Sequence, residues 1–489
     1  MKAKNIFTLL FVLFLLPGFV GCSFEPYDDI KRKPEAAKQR EYLALLKAGG
    51  EYTISEEKLE DMIIGLLNPK PDGRNVIENK QIKITGSKKL PIAKKQKTSD
   101  TRYAANSVDK QNFADIYIYA TENINSGTEG YVLASPDMRT GNILAVVDGG
   151  SMEDEEAWFT NVIFDGLAGY IEHTVNQYNS ISEEEIRQTL EKPGIRTIAP
   201  SRSSGSGLEI LDNAGTGLVH HWHPDAAQVI AAEWAWTDGH EARVPVNWFQ
   251  GNPYNYYVTR ARNGRLGDYI AGCGPVAVAQ IMAYHGYPPK CTLNETIPNV
   301  NLNINNYTYN WSSMRNDFSA IGEADPISGG AKDIAVLMYE IGHPQRGNAD
   351  YQYQNGTYSY PEDLTTAFKK MGYKTPSNFV SYDHNIVKSS IISGRPVLMV
   401  GWSDITGGHF WVVDGVRLMT HYTEWYADGS GGGLMWTNWN FVHCNTGWHE
   451  YWNRWCISGI FDFYSLSHAR SNMPHYYQYG VAMLPNVHP

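Results

Sequence analysis

Two segments of the chain hold residue types that can do nucleophilic chemistry. The first runs Tyr269-Ile270-Ala271-Gly272-Cys273-Gly274-Pro275 and continues as an apolar stretch to His285-Gly286-Tyr287-Pro288. From Cys273 the pattern predicts a helix, because proline is tolerated in a first turn and Gly286 and Pro288 then end it. A cysteine at a helix N-terminus lies at the positive end of the macrodipole, which favours thiolate, the nucleophilic form. On this segment alone, a buried structural cysteine accounts for the same residues equally well.

A nucleophilic thiol needs a base within hydrogen-bond reach. His285 is unsuitable, since twelve residues along one helix place it about 18 Å away. A second region offers a better base. Arg395–Trp402 and Gly407–Gly415 both read as strands, and the second alternates His409, Trp411 and Val413 on one face. A third strand, Leu434–Trp439, could bring the Asn438 amide beside the imidazole. A carbonyl accepting from one ring nitrogen fixes the tautomer and leaves the other nitrogen for the thiol. A histidine in a strand is more often structural; the order Cys, His, Asn in one region is what points to Cys–His catalysis.

The rest of the chain must fold to position these groups. It has 489 residues, 41 Lys+Arg against 52 Asp+Glu, and 42% apolar residues, enough for two to four domains with large cores. A net charge of −11 argues against nucleic acid as a partner, since phosphate recognition needs concentrated positive charge. Charged residues are sparse at 19%, while 31 Tyr, 14 Trp and 45 Gly suit an exported β-rich protein. Five Cys are too few to staple a chain of this size.

At the N-terminus, Lys2 and Lys4 precede an apolar run from Ile6 to Val20, too short for a membrane span of about 20 residues. It ends at Phe19-Val20-Gly21-Cys22, which resembles a bacterial lipobox. Residues 1–21 are therefore expected to be a signal peptide and Cys22 a lipid anchor, with the mature chain exported and tethered at the cell surface or in the periplasm. An ordinary cleaved signal peptide is the alternative.

Between Ser23 and Arg102, Thr53 and Glu56 form a capping-box pattern before Leu59, Met62, Ile63, Leu66 and Leu67, predicting a helix that Asn68-Pro69 stops. The lysines of Lys88–Lys97 read as a solvated linker. Asp115–Ala120, Gly130–Ser135 and Ile143–Val147 predict a small antiparallel sheet, followed by a helix from about Trp158 to Tyr178. Ser201–Gly207 has a linker's composition. The cluster His220-His221-Trp222-His223 reads as an exposed loop in preference to a metal site, having no further ligands at suitable spacing. Beyond about residue 230 the chain reads as one larger α+β domain.

Three ordered blocks resemble the streptopain family of secreted, papain-fold cysteine proteases made as zymogens. Trp248-Phe249-Gln250-Gly251-Asn252-Pro253-Tyr254-Asn255 resembles its Gln-Gly-x-Pro-Tyr-Asn block. Gly272-Cys273 through Pro288 resembles its nucleophile helix. Gly408-His409, Asp414-Gly415 and then Asn438-Trp439 resemble its histidine strand and following Asn-Trp. The resemblance covers about 240–489. A weaker one over 50–180, where Gly130–Asp137 stands out, matches the inhibitory propeptide.

The resemblance implies an α+β chain: a papain-like catalytic domain over 240–489, an α+β inhibitory prodomain with a small sheet over 22–215, and an activation linker over 216–239. It implies Cys273 as nucleophile, His409 as general base and then acid, Gln250 as oxyanion donor with the Cys273 N–H, Asn438 orienting His409, and Trp439 shielding that pair. No metal or organic cofactor is required. The partners implied are protein or peptide substrates and the chain's own prodomain. This sequence departs from the family where Asn-Trp should continue as Gly-Trp-Gly-Gly: it has Asn440–Gly447 instead, and an extra hydrophilic piece near Thr420–Gly433. Cys444 and Cys456 could bridge that altered loop in an oxidising compartment, leaving Cys291 unpaired. A zinc site from His443, Cys444, His449 and Cys456 is a weaker reading. Two other functions remain open: a Cys–His acyl transferase with an amine acceptor, and a non-catalytic surface-binding lipoprotein.

Overall fold

The computed structural model describes residues 39–44, 46–47, 52–68, 81–93, 112–147, 149–150, 157–190, 195–197, 208–211, 219–222, 233–316, 327–354, 356–403, 407–426, 432–448, 453–461 and 481–489. The expected leader at 1–21, the Cys22 anchor, the 94–97 part of the basic stretch, His223 and the serine-rich segment 201–207 lie outside them.

In the N-terminal part, helix α1 spans Glu56–Leu67 and buries Leu59, Met62, Ile63 and Leu66 on one stripe. Its cap is Ser55, whose hydroxyl accepts from the Lys58 N–H, and not Thr53. Ser55 directly precedes Glu56, the first residue of the helix, whereas Thr53 forms a bridge to Asp137. Strands β1 (Ile82–Ala93), β2 (Asn112–Asn123), β3 (Glu129–Ala134) and β4 (Ile143–Val147) form an antiparallel meander, and helix α2 follows at Ala157–Ser180.

The structure corrects the reading of the basic linker over 88–93. Those residues are the second half of β1, paired with β2 from Ile82↔Asn123 to Ala93↔Asn112. Ile82, Ile84, Leu90 and Ile92 supply the strand-forming positions, and the lysines lie on an exposed edge, where Lys83 meets Glu122 and Lys89 meets Asp115. Lysine on an edge strand discourages pairing with other chains. Val219–Trp222 is likewise a strand and not a loop, third in a small sheet with Ile195–Thr197 and Leu208–Leu211.

The C-terminal strands are β5 (Glu233–Glu241), β6 (Val380–Ser381), β7 (Val397–Ser403), β8 (Gly407–Tyr426), β9 (Gly432–Asn445), β10 (Arg454–Ile457) and β11 (Val481–Leu484). Residues 233–239, expected in the activation linker, therefore belong to a strand that pairs with the second half of β8. The meander is not a separate small sheet. The order runs β1-β2-β3-β4-β10-β9-β8-β7-β11-β6, with β5 beside β8, so the N-terminal strands extend the sheet that carries His409. The junction pairs Arg454 with Val147, Trp455 with Val146 and Cys456 with Ala145. Every residue of β4 is buried, as a continuous Ile-Leu-Ala-Val-Val run predicts for a strand covered on both sides.

The sheet separates two cores. Phe410 and Val412 of β8 pack with Val276 and Ile281 of helix α3 (Cys273–His285). Trp411 and Val413, on the alternate face, pack in the core that contains Leu59, Tyr170, Ile171, Trp439 and Phe441. The result is an α+β fold in which α3 covers one face of the histidine strand and the N-terminal segment covers the other.

Candidate active site

Cys273 is the first residue of α3. Its N-cap, Gly272, has φ 93°, a left-handed conformation that favours glycine, and provides no side-chain cap. A Cβ at Gly272 would lie 2.7 Å from Thr357, and one at Gly274 would lie 2.8 Å from Ser359. The two glycines let the hairpin of Asp350–Gln352 and Gly356–Tyr358 close against the nucleophile, where Thr357 donates its hydroxyl to the Ile270 carbonyl at 2.8 Å. Burial pushes the Cys273 thiol up, opposed by backbone N–H groups of Phe410, Gly274 and Cys273 itself. Desolvation thus works against the thiolate that a helix N-terminus favours, and it outweighs the hydrogen bonds from those amides.

The same contact brings the sulfur to the residue adjoining His409. The imidazole is buried, and its Nε2 lies 2.9 Å from the Thr446 carbonyl. A carbonyl only accepts, so Nε2 carries the proton and Nδ1 is the basic nitrogen of the neutral ring. The ring lies between two indoles, nearly parallel to Trp411 at 6.4 Å and to Trp448 at 6.2 Å. Burial lowers its pKa to about 4, opposed by the Thr446 carbonyl and assisted by the Arg454 charge. Arg454 in turn donates to the Tyr131 hydroxyl of β3, at 3.2 Å.

Gln250 is buried in the loop leading to helix Tyr256–Ala261, and its carbonyl accepts from the Ala271 N–H at 2.8 Å. The loop is thereby tied to the approach to Cys273. Asn438 and Trp439 are placed elsewhere. In the β8–β9 register Asn438 is exposed opposite Thr420, far along the strand from His409. Trp439 is buried under Gly141, with an edge-on contact to Tyr42 at 6.5 Å. The expectation that this pair adjoins His409 is thus corrected. The pairing of Val412 with Asn445 carries the following residues, Thr446 and Trp448, to the histidine end of β8.

Sequence reasoning missed Thr446 and Trp448. A signal was present: Asn445-Thr446-Gly447-Trp448 keeps three of four positions of the family's Asn-Trp-Gly-Trp, whereas Asn438-Trp439 keeps only the first two. Asn445 itself turns its amide to the Val246 carbonyl at 2.9 Å.

Cys444 and Cys456 are buried, lie on the neighbouring strands β9 and β10, and are both free. Burial raises the Cys444 thiol well above its usual range, with Cys456 beside it adding to the shift. The expected bridge is absent. His443 is committed to Asp414 at 2.5 Å and to Arg243 at 2.5 Å. Arginine only donates, so His443 Nε2 accepts there and Nδ1–H faces the carboxylate.

A cysteine at a helix N-terminus, set against a sheet strand whose adjoining residue is a histidine with a fixed tautomer, is the arrangement that a Cys–His catalytic pair requires. Comparison with known proteins gives relatives of that kind. Residues 248–455 match the Peptidase C10 family. Streptopain of Streptococcus pyogenes serotype M28 is 27% identical over 229 residues, covering 42% of this chain and 51% of that protein. Streptopain of serotype M1 matches to the same extent. The likeness to Peptidase C10 proteins is thus confined to residues 248–455, and the chain spans about half the length of the curated relatives it matches. Among solved structures, a prointerpain A fragment of Prevotella intermedia aligns at 17% identity and TM-score 0.43, over 76% of this chain and 96% of that one.

Proposed function

We propose that the chain is a cysteine endopeptidase made as a zymogen and tethered by a lipid on Cys22. The observation that carries the reading is the meeting of Cys273 with the Phe410 N–H, next to a His409 whose Nε2–H is held by Thr446. Cys273 sulfur attacks the substrate carbonyl carbon while its proton passes to His409 Nδ1. The oxyanion takes hydrogen bonds from the Gln250 side chain and the Cys273 N–H, donors of a kind worth about 3–4 kcal/mol each. Collapse expels the amine, which leaves with the proton from His409, and a thioester remains. Water then attacks the thioester, gives a proton to His409, and the sulfur recovers it as the acid departs.

Latency follows from the same geometry. Burial disfavours both the thiolate and the imidazolium, so the resting pair is neutral. The N-terminal segment packs behind the histidine strand, in the core that holds Trp411 and Val413. Cutting upstream of β5, within 216–232, would begin its release. The substrates are proteins or peptides. Incubating the processed full-length chain with denatured casein tests the proposal: cleavage into peptides is expected, blocked by iodoacetamide and absent in Cys273→Ala. Products joined to an added amine in place of hydrolysis would indicate a transferase instead.

A further inference from the structure

Seven residues after Cys273, and on the same stripe of α3 as Cys273 and Val276, lies Gln280. It is completely buried. Its Oε1 accepts from the Trp248 N–H at 3.2 Å, two residues before Gln250. Its Nε2 has no hydrogen-bond partner among the described residues. A buried donor left unpaired is costly and calls for a reason.

The surroundings supply one. Gly447, at φ 75°, approaches so closely that a Cβ there would lie 3.2 Å from Val276, 3.8 Å from Gln280 Nε2 and 4.0 Å from the Trp248 carbonyl. The Gly447 N–H is held by Asn445 Oδ1 at 3.3 Å, and the preceding carbonyl, of Thr446, holds His409. Gln280 thus stands where three segments meet: the nucleophile helix, the strap that leads to Gln250, and the turn that orients the histidine. The other unpaired buried atoms here, Trp248 Nε1 and Thr446 Oγ1, lie on two of those same segments.

We propose that Gln280 is a positioning residue that registers the Gln250 strap and the Thr446–Gly447 turn against the Cys273 helix. Its Oε1 anchors the strap in the resting chain, and its Nε2 takes an acceptor from the strap or the turn when the site assembles. The proposal rests on the protease reading for its kinetic arm only.

The test uses the full chain with Gln280→Met and Gln280→Glu, before and after processing. Methionine keeps the volume and removes both polar atoms. The expected result is a kcat about 10- to 100-fold lower, as for a misplaced catalytic group, with KM within about twofold. Amide exchange at 247–251 should speed by about tenfold or more while β7 and β8 keep their protection. Glutamic acid, while protonated, restores the acceptor. Gln280→Glu should therefore approach wild-type kcat at acid pH and lose it as the buried carboxyl ionises, adding a limb to the pH profile. A Met variant with unchanged kcat and unchanged exchange at 247–251 would overturn the proposal. So would a loss of protection spread evenly over the catalytic domain, the mark of a merely structural glutamine. If processed wild type cleaves nothing, the protease reading fails and the exchange arm alone decides on Gln280.

Discussion

His409 is the residue on which burial acts most visibly. Above its unfolded pKa of about 6.5 the ring is neutral in both states and contributes no pH dependence. Between 6.5 and about 4, the unfolded chain binds a proton that the folded chain refuses, so stability falls as pH falls. Below about 4 the loss is complete, roughly 3 kcal/mol for a shift of this size. His384, also held near 4 by burial, adds to the acid sensitivity, so the His409 share is read from the difference between wild type and His409→Gln in denaturant midpoints across pH 4–7. The variant should show a shallower slope; an identical slope would remove the burial account. Nearby residues give a sharper contrast. Trp448→Ala should lower kcat about tenfold or more by opening one face of the imidazole, whereas Asn438→Ala should leave peptidase kinetics unchanged. The reverse pattern would restore the Asn-Trp reading made from sequence. Gly272→Ala forces a side chain into a left-handed backbone and against Thr357, and should cost at least about 1–3 kcal/mol of stability, read by thermal melting.

At the scale of elements, what could be read from the sequence was local and what could not was pairing. The place of Cys273 at a helix start was legible because Gly272, Pro275 and Gly286 mark the ends of that helix, and the place of His409 in a strand because the residues from Gly407 alternate. The β2–β4 meander and α1 were legible for the same reason, by periodicity. Asn438-Trp439 was misread because a dipeptide match carries no register. Only the β8–β9 ladder, which sets Thr420 against Asn438 and Val412 against Asn445, decides which turn reaches the imidazole. The lysine-rich end of β1 was hidden because charge dominated its composition, although Leu90 and Ile92 alternate in its sequence. The cap misplacement has a test of its own: Ser55→Ala should cost about 1 kcal/mol of stability and Thr53→Ala less, since only Ser55 meets a first-turn N–H.

On the scale of the whole molecule, the N-terminal segment and the catalytic domain share one sheet and one core. The β4–β10 ladder, the Tyr42–Trp439 contact and the Arg454–Tyr131 hydrogen bond all join them. A Cβ at Gly166 of α2 would lie 2.7 Å from the Ile460 carbonyl, so that helix also sits directly on the catalytic domain. The N-terminal segment thus packs behind the strand that carries His409, on the face opposite α3. The N-terminal segment and the part of the chain that matches Peptidase C10, residues 248–455, are thus built on one sheet.

The central claim is that Cys273 is the nucleophile of a peptidase whose base is His409. The most direct measurement is covalent capture during turnover. Processed full-length protein is mixed with a peptide ester, quenched in acid and digested, and the modified residue is located by mass spectrometry. An acyl group is expected on Cys273 that water removes on incubation at neutral pH, with none formed in Cys273→Ala and slow formation in His409→Gln. Acylation at another residue, or undiminished hydrolysis by Cys273→Ala, would contradict it.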